Sequence, residues 1–124
     1  MKYAFAILLY IHGLIHLMGF IKAFYLTDIY KQVLGISKPI GSIWLIVFLL
    51  FVISSSQFLT HKKWFYIAFI AVFMSQILFI MTWKEAKYGT IINIIIFLVT
   101  VSDYRNHRSE KTVQNEPKAI EAEK

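Results

Sequence analysis

The sequence predicts an all-α fold, an integral membrane four-helix bundle with a short interfacial helix after the first span and a disordered C-terminal tail. Two observations carry this. First, 58% of the 124 residues are hydrophobic and 17% aromatic, with a mean hydropathy of +0.62, more apolar surface than a soluble domain of this size can bury. Second, the apolar residues fall into four stretches separated by short charged or glycine-containing breaks.

The first stretch, about residues 3–21, is long enough to cross, because about 20 apolar residues span about 30 Å of hydrocarbon. It runs on into Lys22-Ala23-Phe24-Tyr25 without a small-residue cleavage site, so it reads as a retained span rather than a signal peptide. Leu26, Ile29, Tyr30, Val33 and Leu34 then recur at helical spacing, opposite Thr27, Asp28, Lys31 and Gln32, the pattern of a helix lying at the membrane surface. An exposed loop is the alternative there. Gly35 ends that segment and Pro39 offers a preformed first turn for the second span, about residues 40–59. His61-Lys62-Lys63 forces a tight turn into the third, about residues 64–82, which makes the two antiparallel neighbours. Trp83-Lys84-Glu85-Ala86-Lys87-Tyr88-Gly89 places Trp and Tyr at the headgroup level before the fourth and shortest span, about residues 89–102. Residues 103–124 are polar and charged, which predicts disorder. The expected organisation is therefore a bundle over 1–102 and a tail over 103–124.

Cysteine is absent, which excludes disulfides, thiolate metal sites and cysteine nucleophiles. The net charge of +6 is not a nucleic-acid footprint. Residues 1–102 hold eight lysines against Asp28 and Glu85, whereas the tail balances five basic residues with five acidic ones, so the excess cations flank the lipid bilayer. Six Lys and Arg residues near the span ends (Lys2, Lys62, Lys63, Arg105, Arg108, Lys111) fall on one side and five (Lys22, Lys31, Lys38, Lys84, Lys87) on the other. That small excess directs both termini to the cytoplasm.

Small and polar residues mark the faces on which membrane helices meet. His12, His16, Gly19 and Ala23 share a face of the first span; Ser54 and Gln57 pair on the second; Ala68, Ala71 and Ser75 line the third; Gly89 and Asn93 line the fourth. His16, Gln76 and Asn93 fall in the same half of the membrane and can meet, given a suitable rotation of the third helix, with Lys84, Glu85 and Lys87 at the mouth of the resulting pocket. His12 and His16 are the strongest candidates for function, because a histidine in hydrocarbon is costly unless neutral and hydrogen-bonded. One reading makes them packing residues bonded to Gln76, Asn93 or Ser54. A second makes them metal ligands, since imidazoles at i, i+4 can share an ion, although no carboxylate within a span completes the set. A third makes one of them a haem ligand or quinone hydrogen-bond donor; haem needs a second ligand from the opposite side, hence a homodimer or another membrane subunit. No carboxylate, arginine or paired broken helix in the spans supports a channel or transporter, and Ser54, Ser55, Ser56 and Ser75 have no activating base for catalysis.

His12-Gly13-Leu14-Ile15-His16-Leu17-Met18-Gly19-Phe20-Ile21-Lys22-Ala23-Phe24, with Ser37-Lys38-Pro39-Ile40-Gly41, Ser75-Gln76-Ile77 and Trp83 to Asn93, resembles uncharacterised small bacterial four-helix membrane proteins. The layout of residues 1–102 is also distantly similar to the DoxX-like family, whose first helix carries glycines and ends in a lysine, here Gly13, Gly19 and Lys22. The resemblance implies residence in the bacterial inner membrane and a redox-linked accessory role beside quinone or redox partners. The function expected overall is an accessory or assembly subunit acting through helix packing, without enzymatic activity or resident cofactor. The alternative is a redox-linked protein binding metal, haem or quinone at His12 and His16.

Overall fold

The computed structural model describes residues 1–25, 37–60 and 63–122. The expected interfacial helix over 26–34 lies outside the described residues. Helix α1 spans Lys2–Tyr25, α2 Lys38–Leu59, α3 Trp64–Met81, α4 the single turn Trp83–Ala86, and α5 Gly89–Ala122. No strand occurs among the described residues. Helices α1, α2 and α3 are each long and apolar enough to cross a membrane.

Local chemistry sets the helix limits. Pro39 stands in the first turn of α2, where its missing N–H removes no helical bond, and Ser37 precedes it in extended conformation. Thr60 ends α2 by donating its N–H to the Ser56 carbonyl at 3.2 Å. Thr82 ends α3 with both its N–H (3.0 Å) and its hydroxyl (2.8 Å) on the Leu78 carbonyl.

Helix α1 packs most extensively on α2, α2 on α3, and α3 on α5, whereas α1 and α5 touch only sparsely. The α1–α2 seam is built on small residues. A Cβ at Gly41 would stand 2.2 Å from the Ala23 Cβ, and one at Gly19 would stand 2.3 Å from the Trp44 ring, so the backbones approach as closely as hydrogen side chains allow. At the end where α2 turns into α3, Ser55 donates to the Ala6 carbonyl at 2.9 Å, Ser54 to the Trp64 carbonyl at 3.3 Å, and Trp64 Nε1 to Asp103 Oδ2 at 2.8 Å. Phe5, Phe58 and Trp64 meet edge to face beside them. The outward faces of α1, α2, α3 and the first half of α5 carry exposed Ile, Leu, Phe and Met.

The structure corrects one expectation. Residues 103–122 continue α5 rather than forming a disordered tail, and the helix does not stop at 102. Helix is already nucleated by the apolar segment, so each added residue except Pro117, which has no N–H, gains a bond without a new nucleus. Arg, Lys, Glu and Gln in that stretch are good helix formers, and the edge contacts of Tyr104 and His107 with Phe65 pin the first turns. Low apolar content argues against a packed core there, but it does not argue against propagation of an existing helix.

The seam makes a direct prediction. Gly41→Leu should destabilise the bundle by about 1–3 kcal/mol, the usual cost of overpacking, read as a lower midpoint of thermal unfolding in detergent, while Ser42→Leu on the exposed side of the same turn leaves it unchanged. Equal midpoints for the two variants would contradict the close approach.

Candidate functional site

The inward face of α1 carries Leu9, His12, Gly13, His16 and Gly19, all buried, because residues three and four apart share a face. This projects both imidazoles into the middle of the bundle, where each is fully shielded from solvent. From α3 comes Ser75 and from α5 Asn93, likewise buried; Gln76 and Thr90 are half-buried beside them.

His12 Nε2 lies 2.8 Å from Asn93 Oδ1. An amide oxygen only accepts, so His12 donates and its proton sits on Nε2. Asn93 Nδ2 donates to Ser75 Oγ at 2.9 Å and to Gln76 Oε1 at 3.2 Å. Gln76 Nε2 donates in turn to Thr90 Oγ1 at 3.3 Å. Ser75 Oγ lies 2.9 Å from His16 Nε2 and 3.1 Å from Asn93 Oδ1. Its single proton serves one or the other. When it goes to Asn93, His16 Nε2 becomes the donor to Ser75. The result is one connected network from α1 through α3 to α5.

Aromatic rings enclose it. Phe51 from α2 and Phe79 from α3 lie nearly parallel to the His16 ring, with centroids at 5.6 and 5.0 Å, and Trp44 stands 4.9 Å away. Phe51 also meets His12 edge-on at 4.9 Å, and the two imidazoles are 5.3 Å apart. Four buried nitrogens have no hydrogen-bond partner among the described residues: His12 Nδ1, His16 Nδ1 and Trp44 Nε1 here, and His107 Nε2 beside Phe65.

Of the residues singled out by sequence, the structure brings His12, His16, Asn93 and Gln76 into this network. Ser54 does not join it, being bonded to Trp64 across the α2–α3 turn. Lys84 and Lys87 are exposed, and Lys87 stands over the Tyr88 ring at 5.3 Å; the Glu85 side chain lies outside the described residues. A cavity of about 280 Å³ beside Trp44 and Phe79 reaches this turn; it is bordered by Lys22, Thr82 and Tyr88, and neither Lys84 nor Lys87 lines it. Two contributions escaped sequence reasoning. Ser75 bonds His16 directly, which its small-residue stripe did not distinguish from simple close packing. The aromatic cover of Phe51 and Phe79 carries no mark at all in an apolar helix.

Both Nε2 atoms are already bonded within the bundle, and no cluster of three His, Cys, Asp or Glu side chains occurs among the described residues. A haem plane against His16 meets Phe51, Phe79 and Trp44 in the space it needs. The hydrogen bonds connect α1, α3 and α5, and bonds of this kind between membrane helices are worth about 0.6 kcal/mol each.

No family model matches the chain, and no curated protein or solved structure is similar to it.

A double-mutant cycle tests the network. His12→Leu and Asn93→Leu should show a coupling energy of about 0.6–1.7 kcal/mol, whereas His12→Leu and Ser54→Ala add independently within about 0.5 kcal/mol. A coupling of zero between His12 and Asn93 would contradict the hydrogen bond that joins α1 to α5.

Proposed function

We propose that this chain is a four-span protein of the bacterial inner membrane, with both termini cytoplasmic, that works as an accessory or assembly subunit through its helix faces. The observation that carries the reading is the enclosure of His12 and His16. They are fully buried and bonded to Ser75 and Asn93, which leaves the chemistry-bearing side chains turned on the bundle itself. What remains for other molecules is the lipid-facing exterior and the polar half of α5, which runs about 30 Å beyond Ser102 at about 1.5 Å per residue. A second copy or another membrane subunit is the partner this exterior suits.

The fourth crossing is assigned to Gly89–Ser102, about 21 Å of apolar helix. It is shorter than about 30 Å of hydrocarbon, and Tyr104 stands at its end as an interfacial anchor, so local thinning of the bilayer accommodates it. The alternative, a redox-linked protein binding metal, haem or quinone at His12 and His16, has in its favour the unpartnered Nδ1 atoms and the DoxX-like resemblance. The engaged Nε2 atoms weigh against it.

Two measurements separate these readings. Because the chain has no cysteine, single cysteines report topology on a clean background. Cysteines at Lys2, Lys63 and Arg108 should label from the cytoplasmic side, and those at Lys38 and Lys84 from the other; Lys84 and Arg108 on one side would end the four-span reading. Purified from its own membrane in mild detergent, the protein should migrate as a defined complex larger than its 14.5 kDa monomer, unchanged in the His12→Leu, His16→Leu double variant and without visible absorption. A monomer with an absorption band lost in that variant would establish the redox reading instead.

A further inference from the structure

We draw no further inference here: the strongest candidate, the lateral groove of about 700 Å³ between α3 and α5 lined by Phe69, Phe73, Gln76, Thr90 and Phe97, carries none, because nothing in the structure shows what covers it.

Discussion

The hydrogen bond from His12 to Asn93 is the interaction on which the closure of this bundle depends. Helices α1 and α2 close on each other through glycine, α2 and α3 through a short turn, and α3 and α5 through Phe, Ile and the Ser75 hydroxyl. Helix α1 has little direct packing with α5. In lipid, apolar side chains gain nothing by leaving one apolar surface for another, so sparse packing alone would not fix that fourth seam. A 2.8 Å bond between two fully shielded groups does, because either group alone in hydrocarbon is costly.

The enclosure of the network explains its composition. Asn93 has two donors and an acceptor oxygen, and here they serve Ser75, Gln76 and His12 at once. A leucine there would leave three partners unmatched. His16 reaches only Ser75, and its remaining surface is covered by the Phe51 and Phe79 rings, which keep lipid and water from the shorter side of the network. The side between α3 and α5 is different. Gln76 and Thr90 are half-buried and line a cavity there, so the network that is sealed toward α2 is open on this side.

Much of this is legible in the sequence. Composition and segmentation mark a helical membrane protein, and three of the four expected spans coincide with helices able to cross. The spacing of His12, His16, Gly19 and Ala23 identifies the buried face of α1 correctly, because helical periodicity is a property of the chain alone. Which polar residue bonds which is not such a property. It depends on the rotation of α3 about its axis, and that is set by the Gly, Ala and Phe contacts of the whole bundle. The same limit applied to Lys84 and Lys87, whose charge suggested a pocket mouth and whose turn points them outward. The helix beyond Ser102 was missed for another reason, since polar composition measures the capacity to form a core and not the capacity to extend a helix.

If the His12–Asn93 bond is what fixes the fourth seam, its loss should loosen α5 against α1 while leaving the α1–α2 seam intact. Spin labels on lipid-facing positions report this in a bilayer, with Leu14 on α1 paired either to Ile95 on α5 or to Ile46 on α2. In Asn93→Leu the Leu14–Ile95 distance distribution should broaden and the Leu14–Ile46 distribution should stay as narrow as in the wild type. A Leu14–Ile95 distribution that remains narrow would mean that packing alone holds α5 in place, and that the polar network is a passenger in this fold.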